Sequence, residues 1–202
     1  MSLSHLPSGP GRPREFEIDA AVESAMQVFW TRGYNGTSLV DLIDGTGLSR
    51  GSLYKAFGDK HGLFLSALDR YISQSLVRLL STLEQPGSAK AAIRETLMRL
   101  AEMSCRKEGR RGCMLVATAM EMVSHDDDVA ERVKAMVDRI RHAYAKAIAR
   151  GQASGEIPAH HDPQTLATVI VSLTHGMRTL GKVGAVDKQM TAVVETAMRL
   201  LD

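Results

Sequence analysis

Apolar residues recur at intervals of three and four along almost the whole chain, and no stretch alternates in the way a half-buried strand would. From Ile18 to Arg32 the pattern runs through Val22, Ala25, Met26 and Phe29, which predicts an amphipathic helix closed by Gly33. A short helix follows. Ser38 and Asp41 form a capping pair, Leu39, Leu42 and Ile43 give one buried face, and the helix ends near Gly45. Ser49 is placed to cap a third helix whose inward residues are Leu53, Ala56 and Phe57, with Gly58 and Asp59 ending it. From Lys60 one long amphipathic run reaches about Glu84, roughly 36 Å of helix, before Pro86 and Gly87 break it. Further helices are expected near 88–105, 112–124, 127–151, 163–183 and 187–201, separated by KEGRRG, SHDDD, GQASGEIPAHHDP and GKVGA. The SHDDD run reads as a helix start whose carboxylates suit the dipole. The fold class is therefore all-α. Residues 1–14, rich in Gly, Pro and Ser, read as a flexible arm, 15–60 as a three-helix unit, and 61–202 as a larger helical domain entered through the helix of 61–84.

Composition changes this picture little. Hydrophobic residues are 44% and charged residues 24% of 202, ordinary for a globular protein with a core. The net charge of +2 carries no argument for nucleic acid, and residues 1–70 hold seven Lys/Arg against eight Asp/Glu. Any such argument rests on where the charges sit. The cysteines, Cys105 and Cys113, are too few for a disulfide scaffold and fit a reducing cytosol. MSLSHLPSGPGRPR has no apolar segment of signal-peptide type, and LATVIVSLTHGMRTL is interrupted by His175 and Arg178, short of the ~20 apolar residues of a membrane span. The expected location is cytoplasmic.

The stretch Gly47–Lys60, GLSRGSLYKAFGDK, is too polar for a helix that only packs. Two short helices joined by a tight Gly-containing turn make a helix-turn-helix, whose second helix enters the DNA major groove. That role accounts for the residues. Gly51 permits close backbone approach, Ser49 and Ser52 offer short hydroxyls, Arg50 and Lys55 offer charge, and Tyr54 offers a phenol. Lys60 can reach the sugar-phosphate backbone, as can the amides that open the preceding helix near Thr37 and Ser38. Arg12 and Arg14 either solubilise the arm or enter a minor groove.

In the order Phe29, Gly33–Tyr34, Thr37–Ser38, Ile43, Gly47–Leu48–Ser49, Leu53–Tyr54, Phe57, Lys60, Leu63, the chain resembles the DNA-binding domain of TetR-family (TetR/AcrR) transcriptional regulators. GEIPAHHDPQTLA resembles the turn before the last two helices of many members. The resemblance implies a homodimer, a repressor role, a palindromic double-stranded operator, and a ligand pocket in the C-terminal domain. Lys55 and Ala56 depart from the aromatic or histidine common there, so an operator's base preference does not transfer.

A small-molecule effector would meet a sulfur-rich, aliphatic environment. Nine of eleven methionines lie from Met98 onward, and after Tyr71 the remaining aromatic is Tyr144. Met98, Met114 and Met120 are candidate pocket residues among a core that is otherwise ordinary, and His175 is either a pocket hydrogen-bonder or an interface residue. Cys105 and Cys113 are further candidates. Cys113 opens a predicted helix beside Arg110 and Arg111, the setting of a reactive thiolate, although a buried structural cysteine is the plainer reading. A Cys105–Cys113 disulfide would close a short loop. His160 and His161 sit in a polar loop with too few neighbours for a metal site, and no cofactor is implied. Two functions remain. The leading one is a ligand-responsive repressor whose helices near 163–183 and 187–201 pair with a second copy through Leu166, Val169, Ile170, Leu173, Met190, Val193, Val194, Ala197 and Leu200. Its inducer is a small molecule, an electrophile or oxidant acting through Cys113 being one class. The rival is a thiol enzyme with Cys113 as nucleophile and His142 or His175 as base.

Overall fold

The computed structural model describes residues 12–202, with side chains from Glu17 onward. Among the described residues there are nine α-helices and no strand. The chain divides into two compact units, Met1–Arg70 and Tyr71–Asp202.

In the first unit α1 (Arg12–Arg32), α2 (Leu39–Thr46), α3 (Arg50–Phe57) and the opening turns of α4 (Lys60–Leu83) surround a small core. Met26, Phe29, Leu42, Leu53, Leu63, Phe64 and Leu68 are buried in it. Phe29 and Phe64 meet edge-on at 5.0 Å, and Tyr34 stands edge-on to Phe64 at 4.9 Å. Trp30, one residue along α1, is half-buried. Asp19 and Arg70 pair at 2.6 Å, tying α1 to α4, and Arg32 and Asp41 pair at 2.8 Å. These contacts carry the unit ten residues beyond the expected boundary at residue 60. The helix start also moves. Arg12–Arg14, expected in the arm, are helical; the rest of the arm and the side chains of Arg12 and Arg14 lie outside the described residues.

The second unit holds the rest of α4 with α5 (Ala89–Cys105), α6 (Met114–Met122), α7 (Asp127–Ala153), α8 (Pro163–Lys182) and α9 (Asp187–Met198). Local signals set most ends. Ser88, Asp126 and Asp162 each accept a backbone N–H three residues on, and Pro163 follows Asp162 at a position where its missing N–H costs nothing. KEGRRG, expected as a turn, includes a 3₁₀ helix at Lys107–Arg111. Leu97, Ile148, Leu166, Ile170, Met177, Met190 and Val194 meet in one core. Ser88 Oγ donates to Glu156 Oε2 at 2.6 Å, which holds the loop after α7 against the start of α5.

This core corrects the residue list expected for pairing of α8 and α9. Leu166, Ile170, Met190, Val194 and Ala197 are buried within their own unit, and Leu173 and Val193 pack against it. Of the expected residues Val169 and Leu200 remain outward, joined by Leu180, each about two-fifths exposed. Helical periodicity identifies an apolar stripe but not which of two flanking surfaces covers it.

Candidate nucleic-acid interface and effector site

The turn between α2 and α3 is built from local chemistry. Ser38 Oγ accepts from the Asp41 amide at 3.1 Å while Asp41 Oδ2 accepts from the Ser38 amide at 2.8 Å, a reciprocal capping box. These hydrogen bonds hold the Asp41 carboxyl below the ordinary carboxylate range. Gly47, at φ 69°, takes the left-handed conformation that ends α2, and its N–H donates to the Ile43 carbonyl. Ser49 Oγ then accepts from the Ser52 amide at 3.2 Å and opens α3.

Leu53 alone on α3 is fully buried. Ser49, Arg50, Gly51, Ser52, Tyr54, Lys55 and Ala56 are exposed, so Ala56 does not face inward as expected. A Cβ at Gly51 would meet nothing closer than Ser49 Oγ at 4.0 Å, so packing within the chain does not require glycine there. The Arg50 guanidinium lies 5.5 Å from the Tyr54 ring centre, and Lys60 Nζ lies 4.3 Å from that of Tyr34. The polar residues expected on α3 thus share one open surface.

Two expected contacts do not. Thr37 is buried, its hydroxyl donating to the Gly33 carbonyl at 2.6 Å and its amide to the Tyr34 carbonyl at 3.2 Å. Ser38 is exposed, but its amide is committed to Asp41. Thr37 is a structural residue, and the Ser38 amide is occupied by its own cap. The capping pair expected from the spacing of Ser38 and Asp41 is the one that forms.

The effector candidates scatter. Tyr144 is wholly buried in the core, which raises its phenol pKa, with Met98 and Cys105 packed against the same cluster. Met114 is buried at the start of α6. Met120 is 85% exposed on the far face of that helix, and so lines no interior space of the chain. His175 is half-buried on α8, and burial lowers its pKa. Both cysteines are free thiols. Cys105 donates to Asp187, and burial together with that carboxylate pushes its pKa up.

Cys113 stands apart. It precedes α6 without capping it; the Met114 amide is received by the Tyr71 hydroxyl, which also lies 3.3 Å from Cys113 Sγ. Tyr71 is buried, and burial first, then the cysteine, carries its phenol pKa well above the usual range. Arg178 reaches the same place from α8, donating to the Gly112 carbonyl and to Ser104 Oγ. The expectation from the sequence, Arg110 and Arg111, named the neighbours along the chain; Tyr71 and Arg178 came from elsewhere in the fold. Among the described residues no His, Cys, Asp or Glu cluster could hold a metal ion, and no helix is long and apolar enough to cross a membrane.

An exposed polar recognition-type helix on a two-helix scaffold, followed by a helical unit, defines a helix-turn-helix transcriptional regulator. Comparison with known proteins places it further. The family described as "Bacterial regulatory proteins, tetR family" matches residues 21–67, and "Tetracyclin repressor-like, C-terminal domain" matches residues 89–197. The HTH-type transcriptional repressor ComR of Escherichia coli is 31% identical over 191 residues, covering 94% of this chain and 91% of ComR. The HTH-type transcriptional regulator YezE of Bacillus subtilis is 30% identical over 193 residues, covering 95% of this chain and 100% of YezE. A cysteine mutant of the TetR-family regulator CifR, solved with a 26-base-pair double-stranded operator DNA, superposes with a TM-score of 0.82 at 30% identity, covering 98% of this chain and 100% of CifR. The chain belongs to the TetR family of transcriptional regulators. It is a DNA-binding regulator and not an enzyme, which sets aside Cys113 as a catalytic nucleophile.

Proposed function

We propose that this regulator is a homodimeric repressor that reads a palindromic operator and is released by a small-molecule inducer. The observation that carries the reading is the open face of α3, where Ser49, Arg50, Gly51, Ser52, Tyr54 and Lys55 face solvent around the single anchor Leu53. Arg50 and the serines would reach base edges, while Tyr54, Lys55 and Lys60 would hold phosphates. The described partners of ComR's and CifR's names, repression and operator DNA, agree with it.

Pairing through α8, α9 and the 3₁₀ turn Arg199–Leu201 that follows uses the outward residues Val169, Leu180 and Leu200. It would set two copies of α3 about 34–36 Å apart, one turn of B-DNA. Inducer and DNA then favour different members of one conformational ensemble, so each weakens the other's binding. Cys113 is the sensing residue of this reading, and an electrophile is its inducer class.

The experiment is selection from a random duplex pool, then titration of the recovered site with Tyr54→Ala and Lys60→Ala. An inverted repeat is the expected recovery. Each variant should weaken binding, and Lys60→Ala should also flatten the log–log salt slope by about 0.9, with dimerisation by sedimentation unchanged. Full affinity in both variants would remove α3 from the interface.

A further inference from the structure

Lys60 stands at the end of a helix that disfavours a cation. It is the first residue of α4, whose opening turn holds no acidic residue to offset the positive end of the dipole. Asp59, one residue earlier, accepts the Gly62 amide at 2.8 Å and so caps the helix. The Lys60 ammonium is held instead by the face of Tyr34, with Nζ 4.3 Å from the ring centre.

Tyr34 is itself fixed by its neighbours. Its ring stacks with Phe29 at 6.2 Å, stands edge-on to Phe64 at 4.9 Å and meets His61 edge-on at 6.3 Å. Phe29 and Phe64 are buried. The Tyr34 carbonyl receives the amide of buried Thr37 at 3.2 Å, and Gly33, at φ 76°, turns the chain out of α1 just before it. The ring therefore belongs to the aromatic core of the first unit, and the half-buried Lys60 lies against it.

A ring and a carboxylate hold an ammonium differently. A carboxylate neutralises the charge and takes up its N–H donors. A ring attracts the charge through its quadrupole and leaves both the charge and the donors available to an anion. Ordering a loose lysine side chain at an interface costs on the order of two- to tenfold in affinity. A lysine already held against a fixed ring has met part of that cost before the duplex arrives.

We propose that Tyr34 is a positioning residue for DNA binding: its ring, held by Phe29 and Phe64, pre-orients the Lys60 ammonium for a backbone phosphate. This role rests on the reading of Lys60 as a phosphate contact and adds what places it. Thr37, through the Tyr34 carbonyl, acts at one further remove.

The test is a double-mutant cycle on the full-length protein: wild type, Tyr34→Leu, Lys60→Ala and the two together, titrated over a range of salt. The probe is the duplex enriched from the random pool, or the pool itself if none is enriched, since a phosphate contact does not depend on sequence. Tyr34→Leu should weaken binding about threefold and move the salt slope toward that of Lys60→Ala. It should add nothing once Lys60→Ala is present. Tyr34→Phe keeps the ring and should bind as the wild type does. A fluorinated phenylalanine at the same position keeps the shape but drains the ring's negative face, so it should bind as weakly as Tyr34→Leu. That variant also carries the test if thermal unfolding shows that the leucine variant does not fold. Equal losses from Tyr34→Leu with and without Lys60→Ala overturn the positioning role. So does a Tyr34→Phe as weak as Tyr34→Leu, which would assign the effect to the hydroxyl, or a fluorinated ring as good as Tyr34→Phe. Wild-type affinity and slope in Lys60→Ala remove the phosphate reading of Lys60 and this role with it. A weakened Lys60→Ala beside an independent Tyr34→Leu removes the positioning role alone.

Discussion

At the start of α3 the cap is Ser49, three residues from the amide it receives. At the start of α6 the first amide is received by Tyr71, and the cysteine beside it touches a hydroxyl 42 residues away in the chain. Both are helix N-termini with positive ends, yet one is assembled from its own neighbours and left open, the other from α4, α6 and α8 and half closed. A surface built locally keeps its side chains free for a large partner such as a duplex. A surface built from distant segments holds fixed groups about a small one, and any change there is felt by all three helices.

The strongest way to break the α6 arrangement is through Gly112, whose φ of 74° and ψ of −148° suit glycine and whose missing Cβ leaves room for Lys182. Gly112→Ala should cost about 1–3 kcal/mol, seen as a lower Tm of roughly 2–4 °C per kcal/mol, and should change Cys113 alkylation. At α3 the matching change is Ser49→Ala, which should cost about 1 kcal/mol, with Ser49→Gly costing only a few tenths; thermal unfolding of the pair separates lost capping from lost hydroxyl. Tyr71→Phe keeps the ring and removes the shared hydroxyl. It should cost about 1 kcal/mol and leave the Met114 amide without its partner, so amide exchange at Met114 should quicken while that at Ser52 stays constant.

The smallest effect is pH-dependent. Burial holds His175 below its ordinary 6.5, so as pH falls the unfolded chain binds this proton before the native one does. Native stability therefore declines on acidification through that value. His175→Gln should flatten the decline between about pH 7 and pH 5, measured by denaturant midpoint at each pH.

The same contrast explains what the amino-acid order made legible. Helix limits follow from residues one to four apart: Ser38 and Ser49 cap where the pattern puts them, while α2 runs past the expected end near Gly45 and is closed by Gly47. The exposed face of α3 was legible for the same reason. Thr37 was misread because a hydroxyl before a helix serves a cap or the preceding turn equally well, and only folding commits it to Gly33. Met120 was misread because α6 is apolar nearly all round, so periodicity does not say which side faces the interior. Arg178 looked like an interruption in an apolar stretch. Its meaning depends on Gly112 and Ser104, 66 and 74 residues away, and no local spacing encodes that.

Trp30 is the single tryptophan of the chain, and it belongs to the Met1–Arg70 unit; beyond it the Tyr71–Asp202 unit has Tyr71 and Tyr144 as its aromatic side chains. Nature has thus placed a fluorophore in one half and the thiols in the other. Selective excitation of the indole reports on the operator-reading end without any added dye. A change in its emission on alkylation of Cys113 would report that a reaction in one unit is felt in the other.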